Sequence, residues 1–218
     1  MTSEAVTSVC IHIMKSGENE VTSMIFHYIK NHIQERIDEI WLFSDGCSGQ
    51  NKNYVLIRFV YILVHVLKIA SEITHVFSVR RHSYLPCDSD SSLISRAKKV
   101  VLDVPEEWND LIRQARCKPS PFKVINAGKE TQWFLMDESL KFFFLKNTKP
   151  KISLKPAQMY RVSQQYPAQV LVRQSYHGPW TFYTIAGKRN SQEIALIPNE
   201  RQPQISNVKF RDIMELTK

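Results

Sequence analysis

The chain has few cysteines and none at metal-binding or closely paired spacing. Cys10, Cys47, Cys87 and Cys117 lie far apart in the 218 residues. That distribution, with no cationic stretch, apolar run and small-residue cleavage site in Met1 to Gly17, argues against export and against a disulfide framework. Free thiols in an intracellular compartment are expected. A zinc reading from Cys47, His82 and Cys87 lacks Cys-x-x-Cys or His-x-x-x-His spacing. Long apolar runs are missing too: Tyr54 to Ile69 carries Arg58, His65 and Lys68 and falls short of the roughly 20 clean residues of a bilayer span. It reads as a buried helix, and no membrane partner is expected. There is no Walker loop, no Gly-x-Gly-x-x-Gly and no Gly-x-Ser-x-Gly elbow, so ordinary nucleotide-binding and serine-hydrolase labels do not fit. Neither an internal repeat nor a low-complexity tract is present.

What is there is unevenly charged. The formal net charge is +8, yet residues 1–117 hold 13 Lys and Arg against 14 Asp and Glu, whereas 118–218 hold 16 against 7. A basic second half favours an anionic partner, nucleic acid before an acidic membrane surface.

Hydrophobic periodicity organises the first half. Ser8 to Met14 alternates as a strand does, and Asn19 is placed to cap a helix running from Glu20 to about Arg36 with Val21, Met24, Ile25, Tyr28, Ile29 and Ile33 on one face. The continuous apolar run Ile40 to Phe43, stopped by Ser44-Asp45-Gly46, predicts a strand buried on both faces. A helix over Lys52 to Ile69 and a strand over Glu72 to Val79 complete a crossover unit, which makes successive strands parallel and brings Asp45 to Asn53 and Arg80 to Asp90 to one sheet edge. Helices are expected over Ser91 to Leu102 and Pro105 to Cys117, then a linker at Lys118-Pro-Ser-Pro121. Beyond it, Phe122 to Asn126, Trp133 to Met136, Lys141 to Leu145, Ala168 to Gln174 and Trp180 to Ile185 read as short strands. The expected organisation is an α/β core over 1–118 and a basic β-rich module over 119–218.

The two loops carry the chemistry. Asp45, directly after an apolar strand, can hold a divalent cation, or simply cap a turn. Gly46 and Gly49 permit close backbone approach, and Gln50, Asn51, Lys52 and Asn53 lead donors into a helix N-terminus, a combination that suits phosphate; the alternative is a polar loop that only caps the helix. The second loop adds Arg80, Arg81, His82, Asp88 and Asp90, and carboxylates from separate elements are what a two-metal phosphoryl-transfer site gathers. In the second half, lysines from Lys118 to Lys155 interleave with Phe122, Trp133, Phe134 and Phe142 to Phe144, a pattern that fits either base stacking or core.

At these loops the sequence resembles a family of transposon-associated proteins marked by Asp-x-Cys-x-Gly-Gln-Asn-Lys-Asn, here Asp45 to Asn53, and by a downstream Gly-His-Ser/Thr and Asp-x-Asp block matched by His82, Ser83, Asp88 and Asp90. Gly17, Glu20 and Ser23 resemble an earlier segment of the same family. The resemblance implies a transposase of ribonuclease-H-like fold, a three-layer core with a mostly parallel sheet. It implies catalytic roles for Asp45, His82, Asp88 and Asp90, with Asp45, Asp88 and Asp90 holding Mg²⁺ or Mn²⁺ if the ancestral site is retained. It also implies nucleic-acid contacts by Gln50 to Asn53, Arg80 and Arg81, DNA ahead of RNA, in a nuclear protein. The chain departs from the pattern at Arg81 where the family has glycine, at Ser91-Ser92 where it has Phe-Gly, and at Ser95 where it has an acid. The strand bearing the first acid would lie before Met1. An N-terminally truncated, catalytically impaired domain with residual nucleic-acid binding is therefore expected. The rivals are an interaction or structural domain reusing the fold and a Mg²⁺-dependent phosphoesterase.

Overall fold

The computed structural model describes residues 17–78, 86–98, 104–125, 130–141, 143–144, 152–185 and 194–200. The strand read over Ser8 to Met14 lies outside them. The amphipathic helix forms as α1 (Glu18–His32), burying Val21 and Ile29. Its start differs from expectation: Glu20 reaches back to accept the Gly17 N–H at 2.8 Å, so Asn19 falls inside the first turn. The Asn19 side chain is taken up instead by Asp137, which it meets through two hydrogen bonds.

Strand β1 (Ile37–Ser44), helix α2 (Tyr54–His65) and strand β2 (Ala70–Phe77) form the crossover unit, and β1 and β2 are parallel from Ile37↔Ala70 to Ser44↔Phe77. Helix α2 buries every residue from Leu56 to Val64 except Arg58, as its all-round apolar sequence requires. Its chain reverses at Lys68, which takes a left-handed φ of 54°, and Ile69 then offers its carbonyl to the Ile37 N–H to begin the parallel ladder.

Beyond β2 the expected parallel sheet is corrected. Strands β3 (Met159–Ser163), β4 (Gln169–Arg173) and β5 (Thr181–Thr184) extend the same sheet in the order β1-β2-β3-β4-β5, and the three pairings after β1/β2 are antiparallel. For β3/β4 and β4/β5 the reason is connection length, since a strand that returns through a few turn residues must run backwards, whereas β3 takes its antiparallel place beside β2 only after the long helical stretch between Phe77 and Met159. The sheet thus crosses the boundary drawn at residue 119, since β2 pairs with β3 from Glu72↔Ser163 to Val76↔Met159. Among the described residues the fold is a mixed α/β arrangement in which one of four strand pairings is parallel.

Strand β1 is also corrected. Ile40 and Leu42 are half-buried on the helix-bearing face, but Trp41 and Phe43 point the other way and are 45% and 54% exposed. An unbroken apolar run does not require two covered faces, because much of a protein's surface is itself apolar. Helices α1, α2 and the short α5 (Met136–Leu140) pack on one side of the sheet, with Phe26 meeting Phe59 and Phe134 edge-on and the Ser23 hydroxyl accepting the Phe134 N–H at 3.0 Å. Among the other expected strands, Phe122 to Ile125 is irregular, Trp133 to Met136 supplies a single bridge at Phe134 before α5 begins, and Lys141 to Phe144 is mostly turn in its described residues.

Helices α3 (Pro86–Ala97) and α4 (Pro105–Gln114) pair with each other, and Lys98 lies 4.7 Å over the Trp108 ring. No helix among the described residues is long and apolar enough to cross a membrane.

Because β2 carries strands from both sides of residue 119, Ile73→Ala, at a fully buried position, should lower stability by about 2–5 kcal/mol in one transition. Urea unfolding followed by far-ultraviolet circular dichroism and by tryptophan fluorescence should give coincident midpoints; two separated transitions would mean two independent units.

Candidate functional site at the carboxyl ends of β1 and β2

The parallel pairing sets Ser44 beside Phe77, and the Ser78 N–H donates to the Ser44 carbonyl at 2.8 Å. The loop that starts at Asp45 and the segment that leaves Ser78 therefore depart from one sheet edge, as the crossover unit implies. Arg80, Arg81 and His82 lie outside the described residues.

The loop is closed on itself. Asp45 accepts the Cys47 N–H at 3.1 Å and the Asn51 amide at 2.8 Å, both on Oδ1. The Cys47 carbonyl in turn collects the N–H groups of Gln50, Asn51 and Lys52 at 3.3, 2.8 and 2.9 Å. Those are the donors that a phosphate cradle would have offered, and here they are satisfied within the loop. Asn53 is the cap of α2: its Oδ1 accepts the Leu56 N–H at 2.9 Å and its amide donates to the Gln50 carbonyl. Lys52 reaches across to donate to the Lys155 carbonyl at 2.9 Å and lies 4.9 Å over the Phe77 ring, and burial pushes its pKa down.

Asp88 and Asp90 sit in the first turns of α3. The Asp88 carbonyl accepts the Ser92 hydroxyl, and the Asp90 carboxylate meets Arg116 at 3.1 Å, with both side chains mostly buried. Arg116 also donates to the Ser120 carbonyl and stacks 3.9 Å over Phe122, so this ion pair fastens α3 to the proline-bearing segment after α4. Among the described residues no group of three or more His, Cys, Asp or Glu is gathered where it could hold a metal ion. Asp45 Oδ1 takes two N–H donors and Asp90 Oδ1 takes the Arg116 guanidinium, so one oxygen of each carboxylate is engaged within the protein.

A feature not read from the sequence lies just beneath the loop. His75, on β2 and fully buried, places Nε2 2.8 Å from Ser44 Oγ and Nδ1 3.0 Å from the Tyr160 hydroxyl. The Ser44 hydroxyl donates to the Asp45 carbonyl at 2.9 Å. Donor bookkeeping assigns the tautomer: Tyr160 donates to Nδ1, Nε2–H donates to Ser44, and Ser44 donates onward to Asp45. The imidazole therefore does not act as a base on Ser44, and burial lowers its pKa to about 3. The chain of hydrogen bonds links β3, through β2, to the first peptide of the loop. The pairing could not be found from spacing, because Tyr160 belongs to a strand that periodicity did not reveal.

Comparison of the chain with protein-family models, with curated proteins and with solved structures returned no match.

Two predictions follow from this geometry. Unfolding exposes an imidazole of ordinary pKa near 6.5, so below that pH the unfolded state takes up a proton that buried His75 refuses. The stability it contributes is complete above that value and is lost as pH falls towards 3, with a slope approaching about 1.4 kcal/mol per pH unit. His75→Gln should flatten the acid-side decline of urea midpoints relative to wild type; parallel declines would refute the buried neutral imidazole. Separately, a Cβ added at Gly46 or Gly49 meets nothing within 4 Å, and neither glycine has positive φ. Gly46→Ala and Gly49→Ala should each leave thermal stability within about 0.5 kcal/mol, and a larger loss would show that the free loop itself needs glycine.

Proposed function

We propose that this protein binds nucleic acid without cleaving it, as a transposase-derived domain of ribonuclease-H-like descent whose former catalytic edge has become structural. The observation that carries the reading is the contrast between carboxylates engaged by internal donors and a second half in which basic residues outnumber acids. Asp45 and Asp90 are each held by internal donors, while 118–218 keeps 16 Lys and Arg against 7 acids. The parallel unit β1-α2-β2, with the Asp45 loop at its carboxyl edge, is the part of the architecture that favours the ancestry. The resemblance at Asp45 to Asn53 adds to it. DNA is the expected partner ahead of RNA, and a nuclear location goes with that reading.

Lysine and arginine contacts to phosphates release counterions, so affinity for labelled DNA should fall steeply as salt rises. Filter binding across a salt series measures this. DNA incubated with the protein and Mg²⁺ or Mn²⁺ should stay intact. Absence of binding even at low salt would overturn the first half of the proposal, and metal-dependent cleavage abolished by Asp45→Ala would overturn the second.

A further inference from the structure

The strand registers align side chains in rows across the sheet face turned away from α2. Trp41 pairs with Thr74, Thr74 with Arg161, Arg161 with Leu171 and Leu171 with Phe182. The neighbouring row runs Phe43, Val76, Met159 and Arg173, and continuing the β4/β5 register one step brings Trp180 beside Arg173. Cross-strand partners share a face. Each row thus has an aromatic ring at both ends and an arginine within it.

Three of the four end rings are open: Trp41, Phe43 and Phe182 are 45%, 54% and 46% exposed. Trp41 and Phe43 lie nearly parallel, with centroids 6.1 Å apart. Phe182 is held edge-on by Tyr166 at 5.2 Å. Between the ends, Arg161 and Arg173 lie 5.1 and 4.1 Å from the Trp180 ring, all three half-buried. Arg161 is further fixed by Glu72 at 3.0 Å and Thr74 at 3.0 Å, and Arg173 by the Tyr176 carbonyl. The guanidiniums are positioned by packing before any ligand arrives. Four strand spacings separate Trp41 from Phe182, about 19 Å.

We propose that this face is a binding platform for single-stranded nucleic acid, with bases stacking on Trp41, Phe43 and Phe182 and the backbone crossing the Arg161/Arg173 pair. This rests on the nucleic-acid reading above and assigns it to a surface away from the Asp45 loop. Three features select this partner. Rings exposed at separated points suit splayed bases, each of which has a face to stack; a duplex buries those faces. Arg173 makes no ion pair with an acid among the described residues, leaving positive charge in the middle of the path. In the third row, Glu39, Glu72 and Ser163, Glu72 is engaged by Arg161 and Glu39 is exposed, so a carboxylate borders the two aromatic rows on that side. A protein partner or second copy would be favoured by an exposed apolar centre, whereas here Thr74, Met159 and Leu171 are buried and the half-exposed groups between the rings include Arg161 and Arg173.

The test is fluorescence anisotropy with a labelled single-stranded DNA of mixed sequence and its duplex, using the full chain. Wild type should prefer the single strand and show quenching of tryptophan emission. The double substitution Trp41→Ala with Phe43→Ala should weaken single-strand binding about tenfold or more, as should Phe182→Ala, with unchanged circular dichroism. Trp41→Phe should retain most of the affinity, which a merely misfolded surface would not explain. If the single strand binds and the alanine variants bind it as wild type does, the platform is refuted while nucleic-acid binding stands. A duplex preference untouched by these variants has the same meaning. Binding of neither probe at low salt refutes both. Sedimentation showing a dimer that the variants dissociate, without DNA binding, would make the face a self-association surface and overturn the proposal.

Discussion

Strand β2 is the member on which the rest of this structure depends. It is laddered on one side to β1 and on the other to β3, and α2 covers its inner face. Its inward residues Ile73 and Phe77 are in the core, and between them sits a polar group, His75. A buried imidazole is tolerable only if both nitrogens find partners and the ring stays neutral. Tyr160 and Ser44 supply those partners, one from each flanking strand, so a single side chain registers β1, β2 and β3 against one another. Burial also raises the Tyr160 pKa well above its ordinary value, which keeps the hydroxyl protonated as the donor that the network needs.

The same network explains the character of the Asp45 loop. Its first carbonyl is fixed from below by Ser44, and its polar side chains then close the turn above. Asn53 begins α2, and Lys52 clips the loop to the segment before β3. The motif Gly-Gln-Asn-Lys-Asn is rich in groups that recognise phosphate. They are equally suited to satisfying a tight strand-to-helix connection, and in this molecule that local use accounts for Asn51, Lys52 and Asn53. The binding platform we propose lies instead on the sheet face turned away from α2, where Trp41, Phe43 and Phe182 are exposed and Arg161 and Arg173 pack on Trp180.

Much of the first half was legible from residue order. The 3.6-residue period of α1, the all-apolar α2 and the turn chemistry of Ser44-Asp45-Gly46 each follow from local sequence, and strand-helix-strand order made β1 and β2 parallel. The second half was less legible. Ala168 to Gln174 and Trp180 to Ile185 read correctly as strands, but Met159 to Ser163 did not, because Met-Tyr-Arg-Val-Ser buries Tyr160 and Val162 inward while half-exposing Arg161 on the other face. Lys141 to Leu145 reads as a short strand, yet Phe143 and Phe144 pack around Tyr61 from a turn.

Sequence alone determined the local elements, the shared edge at which the Asp45 loop and the chain after Ser78 emerge, and the uneven charge, because periodicity, crossover connections and composition act over short range. Only the tertiary structure decided that β1 shows Trp41 and Phe43 to solvent, that β3 to β5 join the sheet of the first half, and that Asp45, Asp90, Asn51 and Lys52 have internal partners. Those outcomes depend on contacts between residues as far apart as Lys52 and Lys155, and the energy of such a contact is set by which surfaces meet, something no local pattern encodes.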